Sequence, residues 1–261
     1  MLKLNGQTVN LGSFPDGSML IKQEIPVAER VELAWYYEND RELVALIYLT
    51  NHLKAHGCTD IHLWMPYIPN ARQDRVKTGE DVFTLKYFAK VINWLGFTTV
   101  TVLDPHSTVS EALIDRLVIR TPQEQIAKVI DAIGEENLMM FYPDEGAMKR
   151  YSAMADKPFA FGIKKRDWTT GQIQGLDVAG ATEKIPGSRL LIVDDICSKG
   201  GTFYHSAKKL KELGAAEVYL YISHCENTIL QGDILSGDLI EQVYTTDSIL
   251  TKAHNKITVL N

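Results

Sequence analysis

Short apolar runs alternate along the chain with segments whose apolar residues have helical spacing. The run from Leu190 to Val193 is typical of a strand that is buried on both faces of a parallel sheet. The segment from Arg41 to Ala55 places four leucines on one helical face and is followed by Gly57. Glycine and proline interrupt the pattern repeatedly, and no short repeat or low-complexity tract occurs. We therefore expect strands and helices to alternate in an α/β fold.

This pattern predicts ten strands and four helices. The predicted strands run from Leu2 to Leu4, Met19 to Ile25, Val31 to Tyr37, Ile61 to Met65, Thr98 to Leu103, Leu138 to Phe141, Pro158 to Ile163, Leu190 to Val193, Val218 to Ser223 and Leu239 to Tyr244. The predicted helices run from Arg41 to Ala55, Thr84 to Leu95, Pro122 to Ile133 and Tyr204 to Leu213. We expect two domains of similar architecture, residues 1–120 and 121–261, with polar loops at the strand tips.

Composition places the chain among ordinary globular proteins. Of its 261 residues, 45% are hydrophobic and 23% are charged, and the net charge is -6 without a basic block. This charge pattern argues against nucleic acid as the main partner. No signal peptide or transmembrane segment is predicted, so we expect a cytoplasmic protein without a membrane partner. Cys58, Cys197 and Cys225 are odd in number and far apart, which predicts free thiols.

The strand predicted at Leu190 to Val193 leads into the most informative stretch of the chain. Asp194 and Asp195 follow the apolar run and are predicted to mark the point where the strand leaves the core. Ser198, Lys199, Gly200, Gly201 and Thr202 are then predicted to form a tight loop that opens a helix, where exposed amides attract phosphate. Two adjacent carboxylates would hold sugar hydroxyls, or a Mg²⁺ ion that enters with the ligand. A phosphorylated sugar fits this stretch, and a turn with a solvated acidic pair is the alternative.

Other polar segments also follow predicted strands. One extends from Pro66 to Arg75, and His106 and Asp144 each lie just beyond a strand. Lys164 and Arg166 begin a polar, glycine-containing segment that could close over phosphates as a flap. In open α/β sheets, ligands bind beyond the carboxyl ends of the strands. Each segment also has a simpler interpretation. The alternatives are a solvated loop from Pro66 to Arg75, a structural role for His106 and a charged hairpin tip after Lys164.

Taken together, these segments resemble the motifs of the ribose-phosphate diphosphokinases, the enzymes that make phosphoribosyl diphosphate. The matching segments are Phe14-Pro15-Asp16-Gly17, Pro66-Tyr67 with Ala71-Arg72-Gln73-Asp74-Arg75, Asp104-Pro105-His106-Ser107, Tyr142-Pro143-Asp144-Glu145-Gly146 with Lys149-Arg150, the stretch from Asp194 to Thr202, and Thr246-Asp247-Ser248-Ile249. The Ala-Arg-Gln-Asp segment favours the diphosphokinases over phosphoribosyltransferases, which share the Asp-Asp loop. The resemblance implies an α/β fold of two similar type I phosphoribosyltransferase domains, each a mainly parallel sheet flanked by helices.

The resemblance also implies how the two substrates would bind. The first domain would hold the phosphates of ATP at Arg72, Gln73 and His106, and its adenine at Phe14 and Asp16. A neighbouring subunit would complete the adenine site, which implies a homo-oligomer. The second domain would hold the ribose hydroxyls at Asp194 and Asp195 and the 5-phosphate at the loop from Ser198 to Thr202.

Catalysis is assigned by the same resemblance to cations and a metal ion. Lys164 and Arg166 would stabilise charge on the β-phosphate during transfer, and Mg²⁺ would lie near His106 and Asp144. His106 would therefore serve in binding, metal ligation and catalysis. The implied reaction is attack of the ribose C1 hydroxyl on the β-phosphorus of MgATP, with release of AMP. Such transfers depend on positioning and charge neutralisation. The sequence contains no Gly-x-x-x-x-Gly-Lys-Ser/Thr loop, which excludes a P-loop kinase.

Three positions depart from the motifs of the family. Ser18 stands where the family has Glu, which leaves the nucleotide preference open. Ser198 and Lys199 stand where the family usually has Asp and Thr, and this exchange favours a more anionic or larger 5-substituent. ADP-ribose is therefore an alternative acceptor, which would connect the protein with NAD metabolism. A further alternative is a catalytically silent, regulatory relative of the enzyme. That alternative predicts that catalytic residues have been replaced, whereas the catalytic residues of the motifs are all present in this sequence.

Overall fold

A computed structural model describes residues 1–25, 30–166 and 173–260, without the side chains of residues 164–166 and 173–175. The chain divides into two compact units, one from Met1 to Thr121 and the other from Pro122 onwards. Each unit is built around its own sheet.

The first unit contains a six-stranded sheet and a separate hairpin. Its strands are β1 (Leu2–Leu4), β2 (Gln7–Thr8), β3 (Leu11–Ser13), β4 (Met19–Ile21), β5 (Arg30–Trp35), β6 (Asp60–Trp64), β7 (Thr99–Leu103) and β8 (Leu117–Arg120). The sheet order is β2-β1-β5-β6-β7-β8, and the strands from β5 to β8 pair in parallel. Strands β3 and β4 form the antiparallel hairpin that carries the Phe14 turn.

Three helices accompany this sheet. They are α1 (Arg41–Ala55), α2 (Thr84–Leu95) and α3 (Val109–Leu113). The core is one cluster in which Leu33 and Leu63 of the sheet pack with Leu46, Leu53 and Phe88 of the helices. The apolar stripe predicted on α1 is therefore confirmed as the buried face of that helix.

The second unit contains a seven-stranded sheet in the order β11-β10-β9-β12-β13-β14-β15. Its strands are β9 (Leu138–Tyr142), β10 (Phe159–Arg166), β11 (Ile173–Gly180), β12 (Arg189–Cys197), β13 (Glu217–Cys225), β14 (Val243–Thr246) and β15 (Ile257–Leu260). Its helices are α4 (Gln123–Ile133), α5 (Glu145–Tyr151) and α6 (Gly201–Glu212), with short 3-10 turns at Ser152–Met154, Thr182–Lys184 and Asn227–Gln231. Strands β10 and β11 pair antiparallel, whereas the other neighbours pair in parallel.

Strand β12 lies at the centre of this sheet and has a core on each side. Leu190 and Ile192 pack into one apolar cluster, and Leu191 and Val193 pack into the other. Burial on both faces is what the uninterrupted apolar run predicts. The predicted α/β fold with two mainly parallel sheets flanked by helices is thus confirmed.

The predicted end of β12 was wrong. The strand continues through the two aspartates to Cys197, because β13 runs beside it and pairs Asp194 with Ile222 and Cys197 with Cys225. Residues 196 and 197 are apolar and buried, so the acids interrupt the apolar pattern without ending the strand. Helix α6 begins earlier than predicted, at Gly201.

Other predicted boundaries also differ. Strand β4 ends at Ile21 rather than Ile25. Strand β14 begins at Val243 rather than at Leu239. Ile240 is apolar because it is buried in the core, although it lies before the strand. Strand β10 continues to Arg166 and pairs antiparallel with β11, a strand that was not predicted by itself, and this pairing agrees with the alternative interpretation as a hairpin.

All three cysteines are free, as predicted, and all three are buried. Within the part of the chain that the structure describes, the helices are too short or too polar to cross a membrane.

Candidate functional site

The two adjacent aspartates lie near the carboxyl end of β12. Asp195 is buried, with 5% of its surface exposed, and Asp194 is partly exposed. Arg150 of α5 donates a hydrogen bond from Nη1 to Oδ2 of Asp195 over 3.1 Å. The backbone amide of Asp195 donates to Oδ1 of Asp194 over 3.0 Å. The strand and α5 together therefore fix both carboxylates.

The electrostatics of this pair favour a cationic ligand. Burial, and then the negative charges of Asp195 and Asp144, raise the pKa of Asp194 well above its ordinary value. The negative charges of its neighbours thus disfavour the ionised form of Asp194. A divalent cation would relieve this repulsion, and oxygen donors of this kind suit Mg²⁺. The donor set therefore fits the metal that the sequence implies.

Asp144 is the N-cap of α5. Its Oδ1 accepts a hydrogen bond from the amide of Ala147 over 3.1 Å, and its backbone is extended. In the described residues, no group of three or more His, Cys, Asp or Glu side chains forms a preformed metal cage. Mg²⁺ commonly binds through one or two carboxylates and substrate phosphates, so such a cage is not required.

The loop between β12 and α6 has the form of an anion site. Gly200 has a φ of 80° and precedes the first residue of α6, which allows the sharp entry into the helix. The first amides of a helix have no acceptor within the helix and point toward its N-terminus, where phosphate is favoured. Gly201 and Thr202 are exposed, as is Lys199. The loop can therefore receive an anion from solvent.

A later segment of the chain supports this loop. A Cβ atom on Gly232 would lie 1.9 Å from the carbonyl oxygen of Lys199, so the glycine allows the two backbones to touch. A Cβ on Gly200 would lie 3.0 Å from the Ile234 side chain. Residues 232–234 therefore set the shape of the loop.

In the first unit, Asp74 joins two of the predicted ATP-binding loops. Ser107 Oγ donates to Asp74 Oδ2 over 2.6 Å, and the guanidinium of Arg75 contacts both carboxylate oxygens at 2.6 and 2.8 Å. These contacts hold the pKa of Asp74 well below its ordinary value, the Arg75 hydrogen bond contributing most. The segment after β6 is thus tied to the segment after β7, and the two strands are parallel neighbours.

The predicted phosphate-binding residues lie in these two loops. Arg72 and Gln73 are exposed, and Gln73 Oε1 accepts a hydrogen bond from Thr84 Oγ1 over 2.9 Å. His106 is partly exposed, two residues after Asp104, whose φ of 40° turns the chain at the end of β7. The loops lie at the carboxyl edge of the sheet, where α/β proteins bind ligands.

The Phe14 turn closes the β3–β4 hairpin. Phe14 is 49% exposed, and Asp16 Oδ1 accepts hydrogen bonds from the amide and hydroxyl of Ser18 at 2.9 and 2.6 Å. These bonds lower the pKa of Asp16. Ser18 therefore has a structural partner within the turn, and the assignment of adenine to Phe14 and Asp16 stays a prediction.

The predicted site residues fall in both units. The second unit brings Asp144 close to the pair Asp194 and Asp195, whereas Arg72, Gln73 and His106 belong to the first unit. The ligation of one metal by His106 and Asp144 therefore stays a prediction. Lys164 and Arg166 lie on β10, but their side chains lie outside the described part of the chain, as does the predicted flap at residues 167–172.

Sequence reasoning assigned no role to three residues that organise these sites. Arg150 and Asp74 occur in the matched motifs. Arg150 is opposite in charge to the predicted site residue Asp144, and Asp74 to Arg72, so these charges were a signal in the sequence that each residue contacts a site. Gly232 gave no such signal, because its role depends on the approach of a distant backbone.

Comparison with known proteins confirms the predicted resemblance. The model of the phosphoribosyl transferase domain matches residues 123–235. The ribose-phosphate pyrophosphokinase of Sulfolobus acidocaldarius is 28% identical over 256 residues, which cover 95% of this chain and 86% of that protein. The enzyme of the same name from Mycoplasmopsis pulmonis is 27% identical over 100% of this chain and 84% of its own length. The chain is therefore similar to ribose-phosphate pyrophosphokinases along nearly its whole length, as its motifs predicted.

A solved structure supports the fold of this chain. The crystal structure of phosphoribosylpyrophosphate synthetase from Mycobacterium smegmatis matches 97% of this chain and 85% of its own chain, with a TM-score of 0.79. Sequence identity in that comparison is 19%, so it bears on the fold alone. The predicted type I phosphoribosyltransferase fold is thus confirmed.

Proposed function

We propose that the protein transfers the pyrophosphoryl group of MgATP to the C1 hydroxyl of ribose 5-phosphate, which gives phosphoribosyl diphosphate and AMP. The observation that carries this proposal is the pair Asp194 and Asp195 beside an anion-accepting helix start on one β-α connection. Such a connection suits a ligand that has hydroxyls at one end and a phosphate at the other. Similarity to ribose-phosphate pyrophosphokinases supports the diphosphotransferase chemistry.

In the second unit, the protein would orient the acceptor. The carboxylates of Asp194 and Asp195 would accept hydrogen bonds from the ribose hydroxyls, and the amides of residues 200–202 would donate to the 5-phosphate. Fixing both ends of the sugar directs its C1 hydroxyl, which is the attacking group, and positioning supplies much of the rate enhancement in such transfers.

In the first unit, the loops after β6 and β7 would bind the phosphates of ATP. Arg72, Gln73 and His106 provide donors of positive or neutral character at the carboxyl edge of the sheet. His106 and Asp144 would hold Mg²⁺, which neutralises charge on the phosphates when bound. Lys164 and Arg166 would stabilise the charge that develops on the transferred group.

The assay of AMP formation tests this proposal. Purified protein with MgATP and ribose 5-phosphate should form AMP and phosphoribosyl diphosphate in equal amounts. Asp194→Asn and Asp195→Asn should lower kcat/KM for the sugar by about 100-fold, because each removes a carboxylate that orients the acceptor. Formation of ADP instead of AMP would contradict the proposal. If neither ribose 5-phosphate nor a larger acceptor supports AMP formation, the silent, regulatory relative becomes the leading interpretation.

A larger acceptor such as ADP-ribose is the second candidate. Lys199 favours it, because this exposed residue adds a positive charge to the loop, and a second phosphate group of the ligand would be attracted to that charge. The measurement compares kcat/KM for ribose 5-phosphate and for ADP-ribose in the wild-type protein and in Lys199→Thr. A clear preference of the wild-type protein for the simple sugar would reject this candidate. If ADP-ribose is preferred, Lys199→Thr should weaken that preference.

The adenine site and the oligomer complete the proposal. Phe14 exposes half of an apolar ring at the tip of a hairpin, which suits stacking on an adenine ring. We expect a homo-oligomer in which a neighbouring subunit completes this site, acting in the cytoplasm. Phe14→Ala should raise KM for ATP without changing KM for the acceptor, and an equal effect on both substrates would argue against this assignment.

A further inference from the structure

Helix α5 connects the acid pair with the predicted metal ligand. Asp144 caps its N-terminus, and Arg150 is its sixth residue. Arg150 is 45 residues from Asp195 in sequence, yet its Nη1 lies 3.1 Å from Asp195 Oδ2. No role in the proposed reaction has so far been assigned to Arg150.

The surroundings of Arg150 restrict its movement. Its guanidinium lies 5.8 Å from the centre of the Tyr151 ring, and Tyr151 is fully buried in the core below α5. The side chain of Arg150 is 30% exposed and that of Asp195 is 8% exposed. The pair therefore lies largely out of solvent, where an ion pair restricts its partners more than a surface pair does. A planar guanidinium also fixes the direction of a carboxylate better than an ammonium does.

The position of Asp195 on a strand makes this contact functionally relevant. Strand pairing fixes the backbone of Asp195, but the direction of its carboxylate depends on the rotamer of the side chain. Asp194 is separated from it by one peptide bond and repels it electrostatically. Without Arg150, the carboxylate of Asp195 would lose the contact with α5 that fixes its direction.

We propose that Arg150 is a positioning residue of the acceptor site, which holds the carboxylate of Asp195 in the direction that receives the ribose hydroxyls. Arg150 and Asp144 belong to one short helix, so α5 also sets the separation between the acceptor carboxylates and the predicted metal ligand. This inference rests on the proposed function and deepens it.

The test is the effect of Arg150→Met on the two substrates. Loss of the ion pair should raise KM for the sugar phosphate by about 10-fold or more, since residues that orient ligand-binding groups typically contribute 10- to 100-fold. KM for ATP should change by less than about twofold, because the predicted ATP-binding loops belong to the other unit. A purely structural role would affect both constants, or neither. Equal changes in the two constants would therefore overturn the inference.

A neighbouring lysine provides the matched control. Lys149 lies on the same helix, is 73% exposed and pairs with Glu145 at 3.6 Å. Lys149→Met removes the same charge without touching the acid pair, so both KM values should stay at the wild-type level. Thermal unfolding of each variant reports whether the fold is intact. If Arg150→Met does not fold, Arg150→Lys replaces it, and the same selective rise in KM for the sugar phosphate is expected because the ammonium cannot reproduce the planar contact.

A double-mutant cycle tests whether Arg150 acts through Asp195. If it does, adding Arg150→Met to Asp195→Asn should raise KM for the sugar phosphate little beyond the effect of Asp195→Asn alone. Full additivity of the two effects would overturn the inference.

The activity of the wild-type protein distinguishes the proposed function from the positioning role of Arg150. An inactive wild-type protein refutes the proposed function and this inference with it. An active protein with unchanged acceptor KM in Arg150→Met refutes only the inference.

Discussion

Gly232 illustrates how a residue without a side chain can control a binding loop. Its Cα touches the backbone of Lys199, and a Cβ there would overlap the carbonyl oxygen at 1.9 Å. Two backbones that approach this closely cannot adjust as flexible side chains do. Any larger residue must therefore displace either the loop or the segment below it.

Gly232→Ala should weaken binding of the sugar phosphate. We expect KM for the acceptor to rise about 10-fold or more, with a smaller change in KM for ATP, because displacement of the loop misdirects the amides that hold the phosphate. Gly237→Ala is the control, since a Cβ at Gly237 would meet no atom within 4 Å. Steady-state kinetics of the two variants check this expectation, which fails if they have the same acceptor KM.

In the first unit, Asp74 is a single residue whose hydrogen bonds connect two loops. Removing its carboxylate breaks the link to Ser107, and hydrogen bonds to charged groups contribute about 1.5–3 kcal/mol. We expect Asp74→Ala to lower the free energy of unfolding by about 1–2 kcal/mol, toward the lower end because Arg75 is exposed. It should also raise KM for ATP. Denaturant unfolding of Asp74→Ala, Ser107→Ala and the double variant checks this, and fully additive losses would contradict a shared bond.

The contribution of Asp74 should also depend on pH. Its pKa in the folded state is lower than the ordinary value of 3.8, so its stabilisation is complete above that value and is lost as the pH falls through the lower, folded-state pKa. The difference in unfolding free energy between the wild-type protein and Asp74→Ala should therefore stay constant from neutral pH to about pH 5 and shrink below pH 4. A difference that grows on acidification would contradict this sign.

Among the strands and helices, β12, which carries Asp194 and Asp195, was predicted in part from the sequence. The four apolar residues before Asp194 predicted a strand buried on both faces, and the structure confirms it. The continuation to Cys197 could not be predicted, because it depends on pairing with β13, which is distant in sequence. The same holds for β15, a short edge strand that forms by pairing with β14.

Strand β10 carries the predicted catalytic cations Lys164 and Arg166. Lys164→Ala should lower kcat by about 100-fold or more and change KM for ATP far less, because a cation that meets charge developing during transfer contributes mainly in the transition state. Lys165→Ala is the matched control, since it removes a neighbouring lysine to which no role is assigned. Steady-state kinetics of both variants check this, and unchanged turnover in Lys164→Ala would remove the residue from the mechanism.

At the scale of the whole molecule, the sequence predicted the fold class and the order of the strand-tip loops. The paired motifs Pro66 to Arg75 and Asp104 to Ser107 lie on neighbouring parallel strands, as a regular α/β sheet requires. The contacts that organise these loops were not predictable, because Arg150 and Asp195, or Asp74 and Ser107, meet only once the chain is folded. Periodicity reports which face of an element is buried, but not which distant polar side chain will lie opposite.

The central claim is transfer of a pyrophosphoryl group rather than of a single phosphate. It is tested most directly by incubating the protein with Mg²⁺, ribose 5-phosphate or ADP-ribose, and ATP labelled at the β-phosphorus. We expect the label to leave the nucleotide entirely and to appear on the sugar C1 oxygen, with unlabelled AMP as the second product. Label retained in ADP, or no transfer of label to either acceptor, would refute pyrophosphoryl transfer by this protein.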